Sequence, residues 1–441
     1  MKYSISYKIY TLLFCVLLLS LSPKVMAQQS TRFIPINELF RLGIENSLQL
    51  KESKIQEVIT DEQHKSALTE RMPDIQIGVS AGVIGQPIMF QRGLSSPTRP
   101  DVPNWSQNYN IELTQPLYQG GKIQYNIRKA DIQKQIASIV SANDKAEVKL
   151  ILLRQYMALF TYYKQRDVLY RNIEESERRL KDISRLRKEG VLTRNDEIRS
   201  QLQLTSDRMA LQESENSITI ASQQLDILLG LNETLVIVPD TTLLYTNLSM
   251  RDYESYVQLA YENYPGMQIA RSNIQLSEND IKLTKSNYLP TLSLRAGNIF
   301  ARPVSSSMAD MYNNNWNIVL SISYKLSSLY HNKHRVQEAR QMVQLRHSNE
   351  ERLMQDIRMQ IKSAYIRHEE ALTRVEAFKL SVKQAEENYR IVQNRYLNQL
   401  SILTDLLDAS SVRLEAELQL TTARAQCVYT YYELQRACGN L

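Results

Sequence analysis

The chain has 441 residues, 23% of them charged, and a formal net charge of +6. Without the leader lysines Lys2, Lys8 and Lys24 the balance is about +3, which is no nucleic-acid signature. The length would allow two or three ordinary domains, but Gly and Pro are placed against that. Between Lys122 and Leu229 stands a single Gly, Gly190, and no Pro, and between Val304 and Cys438 there is neither. Such stretches predict very long uninterrupted helices.

Residues 1–27 read as a signal peptide: Lys2 and Lys8, an apolar core Leu12–Leu21, then Val25-Met26-Ala27 as a small-residue cleavage site. The core is short of the roughly 20 residues that span a bilayer. The mature chain is expected to start at Gln28. Cys15 follows Phe14 rather than a small residue, so no lipid anchor is expected there.

A helix is predicted over Asn37–Met72 and is stopped by Pro73. The period then changes to two. Ile75, Ile77, Val79, Ala81 and Val83 fall on one face, and Gln76, Gly78, Ser80 and Gly82 on the other. Gly85–Pro103 reads as a loop. A second strand covers Tyr109–Leu117, with Ile111 and Leu113 opposite Asn110, Glu112 and Thr114. Helices are then predicted over Lys122–Lys188 and Asn195–Leu229, with a turn at Gly190. Residues 231–251 join this first repeat, 28–230, to a second, 252–441.

The second repeat says the same thing again. Glu262-Asn263 stands where Glu45-Asn46 stood, Pro290 where Pro73 stood, and Leu292 and Leu294 where Ile75 and Ile77 stood. Asp405 and Gly439 are separated by the same interval as Asp196 and Gly230. The predicted elements are a helix Asp252–Asn287, a strand Thr291–Ala296, a polar loop Ala301–Asn315 and a strand Asn317–Tyr324. Helices Ser327–Leu397 and Thr404–Ala437 follow. In the last strand Ile318, Leu320, Ile322 and Tyr324 share a face, against Asn317, Ser321 and Ser323.

One apolar face and one small or polar face suit a strand between lipid and a watery lumen; an ordinary half-buried sheet would show the same period. Trp105, Tyr109, Trp316 and Tyr324 near strand ends fit an interfacial girdle. The longest helices would extend roughly 100 Å and the shorter ones roughly 50 Å, so two short helices match one long one. Leu204, Leu211, Ile218 and Leu225 recur every seven residues, as do Leu400, Leu407 and Leu414, which is coiled-coil spacing. Cys427 and Cys438, on one helix, would be roughly 16 Å apart, beyond the reach of a disulfide.

Each chain offers about four membrane-type strands, whereas single-chain membrane barrels start at about eight. An open sheet in lipid leaves unpaired backbone groups at its edges. Several copies must therefore share one barrel, and composition does not choose between two, three and four.

The duplicated helix–Pro–strand segments, Gln115-Pro116-Leu117-Tyr118-Gln119-Gly120-Gly121 and Leu403-Thr404-Asp405-Leu406-Leu407-Asp408-Ala409 together resemble the outer membrane efflux protein (TolC) family. The resemblance covers the whole mature chain. It implies an α+β membrane protein in which a homotrimer builds a twelve-stranded β-barrel, four strands per chain. The barrel, from 73–118 and 290–326, sits in outer-membrane lipid. A coiled-coil α-helical barrel, from 119–230 and 327–441, continues it into the periplasm.

The implied function is a passive exit duct for a tripartite efflux pump or a type I secretion system. Its implied partners are a periplasmic adaptor and an inner-membrane RND or ABC transporter. Gly190-Val191-Leu192-Thr193 resembles the family's adaptor-docking tip. The counterpart, Gln399-Leu400-Ser401-Ile402, lacks the glycine, which predicts a different turn there. Asp405 and Asp408 match the family's pair of aspartates at the tunnel entrance. Tyr396 and Asp196 match its closed-gate positions. Ser401 stands where the family has its gate arginine, with Arg194 and Asn195 at the neighbouring tip.

No phosphate-binding loop, nucleophile elbow or Cys/His cluster of metal spacing is present in the sequence, so neither enzyme chemistry nor a cofactor is expected. His331 and His334 are three residues apart but have no carboxylate or Cys to complete a metal site. The competing reading is a secreted periplasmic coiled-coil adaptor or scaffold. It would share the heptads and leader but would not need four two-faced strands repeated in register.

Overall fold

The computed structural model describes residues 31–99, 103–240, 250–302 and 311–441. The leader 1–27, Cys15 and the expected start at Gln28 lie outside the described residues, as do parts of the stretches 231–251 and 301–315. The elements in order are β1 (Thr31–Ile34), α1 (Ile36–Asn46), α2 (Leu48–Thr69), β2 (Asp74–Val83), β3 (Met89–Arg92), β4 (Ser95–Thr98) and β5 (Trp105–Tyr118). Next come α3 (Lys122–Lys188), α4 (Arg194–Leu229), β6 (Val236–Pro239), α5 (Tyr253–Asn263) and α6 (Pro265–Ser286). The chain ends with β7 (Thr291–Arg302), β8 (Asn313–Ser323), α7 (Ser328–Leu397) and α8 (Leu403–Ala437).

Each helix expected before a strand pair is two helices. The first breaks at Ser47 (φ −61°, ψ 123°) and the second at Tyr264 (φ −63°, ψ 124°). Pro265 explains the second break, because the residue before a proline is pushed to extended backbone. Leu48 holds the equivalent place in the first repeat, so tertiary packing imposes that kink. The loop expected over Gly85–Pro103 contains the β3–β4 hairpin. The strands also run further than their alternation suggested, to Arg302 in β7 and from Asn313 in β8.

The described chain divides into two units. The first takes the described residues of Met1–Ser47, Ile151–Asn247 and Ala371–Tyr429. Its centre is Tyr156, fully buried, whose hydroxyl donates to the Ile34 carbonyl (2.7 Å) and accepts from the Asp240 N–H (2.6 Å). That side chain ties together the parallel pair β1–β6. Burial pushes its phenol up to about 12. Phe160, Leu152, Leu153 and Leu39 complete the core. Asp226 is wholly buried nearby in sequence to the helix end, and neither carboxylate oxygen has a partner among the described residues.

The second unit takes the described residues of Leu48–Leu150, Leu248–Glu370 and Thr430–Leu441. Its helical core joins Tyr256, Val257, Ala260, Met267, Ile357, Ile361, Leu434 and Cys438. Cys438 is buried in this core, and neither it nor Cys427, which is buried in the first unit, is in a disulfide. The landmarks of the duplication meet in pairs. Asn46 donates to the Leu229 carbonyl (2.8 Å) beside Gly230, and a Cβ on Gly439 would come within 2.7 Å of the Asn263 backbone. Both glycines cap a returning helix in the left-handed region, at φ 66° and 74°.

The sheet of the second unit has four antiparallel strands in the order β2-β5-β7-β8. Pro116 sits where the β5–β7 register shifts, the position in a sheet that tolerates a missing N–H. Directly opposed residues share a face, so the register builds apolar rows across strands. One row is Ile75, Leu113, Ala296 and Ile318, and another is Val79, Tyr109 and Phe300. The opposite face carries Gln76, Glu112, Gly297 and Asn317. Ile77 is 77% exposed and Ile322 73%, so the chain leaves this apolar face uncovered. No described helix is long and apolar enough to cross a membrane.

Candidate functional site: the two helical tips

Both helix-to-helix turns lie in the first unit. In the first, Gly190 is left-handed at φ 79°, and the N–H groups of Gly190 and Val191 donate to Arg187 (3.0 Å) and Leu186 (2.9 Å) carbonyls. In the second, Gln399 is left-handed at φ 61°, and Gln399 and Leu400 donate to Tyr396 (3.0 Å) and Arg395 (2.8 Å). The expected difference in turn is thus overturned. The same pair of hydrogen bonds satisfies the last helical carbonyls in both, and Gln accepts the strain that Gly avoids.

The tips differ in how the next helix starts. Thr193 and Asp196 form a reciprocal capping box at the start of α4: the Thr193 hydroxyl accepts from the Asp196 N–H (3.2 Å), and Asp196 accepts from the Thr193 N–H (3.0 Å) and hydroxyl (2.7 Å). Asp196 is therefore occupied as a cap. Ile402 replaces Thr193 in the second tip, and Asp405 accepts instead from the Ser401 hydroxyl (2.7 Å). Asp405 and Asp408 are both exposed, while Leu403, Leu406 and Ala409 around them in the chain are buried. The helical spacing puts the two carboxylates on one outward face, with no described basic side chain paired to either.

Tyr396 packs against the cluster of Tyr389, Leu406 and Ala409. Its hydroxyl is buried without a hydrogen-bond partner among the described residues. Burial pushes the phenol up, and the charge of Asp196 adds to this, so the two are within electrostatic reach without bonding. Arg194, Asn195, Val191 and Leu400 are exposed, Leu192 less so. Arg199 joins the tips by donating to the Thr404 hydroxyl (2.7 Å).

Sequence reasoning did not find the polar interior of this region. Arg179, 9% exposed, donates to Ser176 (3.1 Å) and Ser410 (3.3 Å), and Ser176 donates to Asp207 (2.8 Å). The Arg413 guanidinium lies 4.1 Å over the Tyr389 ring and pairs with Glu175. The heptad signal partly holds. Leu204, Ile218 and Leu225 are buried, but Leu400 is 69% exposed. In α8 the buried seven-residue series is Ala409, Ala416 and Ala423. Small residues let packed helices approach closely, which leaves the leucines at the flank.

A family model described as outer membrane efflux protein matches residues 256–440. No curated protein matches the chain. Among solved structures, the fold is similar to the outer membrane protein VceC of Vibrio cholerae, at 17% identity and TM-score 0.75, covering 92% of this chain and 96% of that one. It is also similar to the MtrE outer membrane channel of Neisseria gonorrhoeae, at 16% identity and TM-score 0.71, covering 92% and 88%. CusC gives 14% identity and TM-score 0.77, covering 93% of each chain. These likenesses extend the match from the second repeat to the fold of nearly the whole chain, an α+β fold shared with outer-membrane channels. The outer membrane efflux protein family is thus matched over residues 256–440, and the fold of those channels over nearly the whole chain.

Proposed function

We propose that this protein is the passive exit duct of a tripartite efflux pump or a type I secretion system in the outer membrane. The observation that carries the reading is the four-stranded sheet. Among the described residues its apolar face is uncovered and its outer strands β2 and β8 each pair on one side only. In lipid, such edges must pair with further copies. Three copies, as in the resembling family, would close a barrel from 73–118 and 290–326 and a helical tunnel from 119–230 and 327–441. The exposed Asp405 and Asp408 would then form rings of carboxylates, which attract cations in a narrow lumen. The tips at Gly190–Thr193 and Gln399–Ile402 share one turn geometry, which supports both as docking points for a periplasmic adaptor.

The test is ion conductance of the purified full-length protein in a planar lipid bilayer. Discrete, cation-preferring steps are expected. Silence from inserted protein, persisting after both tips are truncated, would sink the duct.

A further inference from the structure

Each unit packs its helices in a series with corresponding ends. In the first unit α4 meets α3 through Ser176 and Asp207 (2.8 Å) and through Ser214, which donates to the Tyr162 carbonyl (3.1 Å). α3 meets α8 through Arg171–Glu417 (3.1 Å) and Arg179–Ser410 (3.3 Å), and α8 meets α7 where Arg413 lies over Tyr389. In the second unit α2 meets α3 through Lys134–Asp61 (2.6 Å), and α3 meets α6 through Lys129–Asp280 (3.2 Å). α6 then meets α7, where Asn332 donates to the Thr284 carbonyl (2.8 Å). α7 is thus at one end of each series, with α4 or α2 at the other. The sheet has the same ends, since β2 follows α2 and β8 precedes α7.

The end helices carry uncovered apolar stripes. Leu345, Met359, Ile366 and Leu380 are spaced in multiples of seven along α7 and are between 48% and 63% exposed. On α4, Leu202 and Met209 stand seven apart, as do Ile220 and Ile227, between 57% and 66% exposed. On α2, Leu48 and Ile55 stand seven apart, with Val58 and Ile59 also exposed. Such spacing belongs to a helix that packs on another helix, and contiguous exposed apolar surface marks an interaction site.

The duplication shows what covers them. Gly190 and Gln399, Asp196 and Asp405, and Gly230 and Gly439 are separated by one constant interval, so near the tips α3 corresponds to α7 and α4 to α8. Moved by that interval, the contact of α3 with α8 becomes a contact of α7 with α4. Arg171–Glu417 moves to Leu380 and Arg208, Glu175–Arg413 to Gln384 and Leu204, and Arg179–Ser410 to Asn388 and Gln201. Within one chain α3 and α8 stand between these positions, so the contact belongs to two copies. Leu380, Gln384, Asn388, Gln201 and Arg208 are all exposed. The internal contact has five charged side chains at its six positions, whereas the moved one has Arg208 alone. Fewer charges lower the cost of burying that face against a partner.

We propose that α7 of one copy packs on a second copy of this chain, residues 371–397 against α4 and residues 328–370 against α2. The contact between copies then repeats the contact between the two halves of one chain, and β8 of the first copy lies beside β2 of the second. Two different surfaces meet, so the association is head-to-tail and closes as a ring rather than as a symmetric pair. This names the docking face for the shared barrel proposed above and rests on that reading for the strands, while the helix contact stands on the duplication.

The test is thiol cross-linking of the full-length protein with a short bis-maleimide, read on denaturing gels. Asn388→Cys combined with Gln201→Cys is expected to shift most of the protein to linked dimers and larger species. Each single variant and the parent should stay monomeric, because unlike faces meet and Cys427 and Cys438 are buried. A second pair, Leu380→Cys with Arg208→Cys, should behave the same way. All four positions are exposed, so the variants are expected to keep the parent's thermal midpoint. Linked dimers from a single variant would mean that like faces meet, which overturns the head-to-tail seam. Absence of linkage in both pairs also overturns it. Conductance of the same samples separates this failure from that of the duct: channels without linkage sink the seam alone, and linkage without channels sinks the duct alone.

Discussion

Gln399 occupies, in the second tip, the left-handed position that Gly190 occupies in the first, at φ 61° against 79°. A side chain there costs about 1 kcal/mol, because Cβ crowds the following carbonyl. Gln399→Gly is therefore expected to steady the second tip by about 1 kcal/mol, and Gly190→Ala to loosen the first by a similar amount. Amide hydrogen exchange over 395–405 and 186–196 would report each tip separately. Faster exchange in the Gln399→Gly tip would contradict the turn geometry.

The exposed carboxylates make a different kind of claim. If Asp405 and Asp408 face the lumen in several copies, the double Asp→Ala variant should lose most of its block by divalent cations in single-channel recordings. The Ser401 hydroxyl donates to Asp405. Ser401→Ala should therefore change block less than loss of the carboxylate does. Undiminished block in the double variant removes the rings from the picture.

Strand register predicts an asymmetry between neighbours. Leu320 opposes Leu294 on the apolar face, while Ser321 opposes Ser293 on the other. An arginine facing the middle of a bilayer costs about 2–4 kcal/mol per strand. Leu320→Arg should sharply reduce the yield of membrane-inserted assembly, and Ser321→Arg should leave it near normal. The reverse order would mean that the faces are inverted.

Asp226 ties stability to pH. Burial, with a smaller push from Glu233, raises its carboxyl from near 3.8 to about 6. The folded state therefore holds this proton more tightly than the unfolded chain does. Stability from this group is greatest below pH 4, falls as pH rises through 6, and stays low above it. Asp226→Asn should gain about 3 kcal/mol at pH 8 and nothing at pH 4. Thermal midpoints at the two pH values check it, and an equal shift at both would show that packing, not ionisation, is responsible.

Much of this fold is legible in the sequence because Gly and Pro are so unevenly spaced. α3 and α7 fill the runs that lack them almost end to end. The kink at Tyr264 is also readable, from Pro265. The kink at Ser47 is not, since nothing local marks it. The short strands β1, β3, β4 and β6, four residues each, are too brief to show a period. The tip's outward aspartates follow from helical spacing. Its interior does not, because the Arg179–Ser410 contact joins residues 231 apart. A search for leucine repeats also passes over Ala409, Ala416 and Ala423, where close packing favours small side chains.

The open sheet sets a kinetic condition on the cell. Among the described residues β2 and β8 each pair on one side only, which leaves two strand edges to be completed. If several copies share one barrel, as proposed above, completion depends on meeting them, so its rate rises steeply with local concentration and competes with irregular edge pairing. Scarcity would then limit this protein twice, through fewer chains and through a smaller fraction that matures.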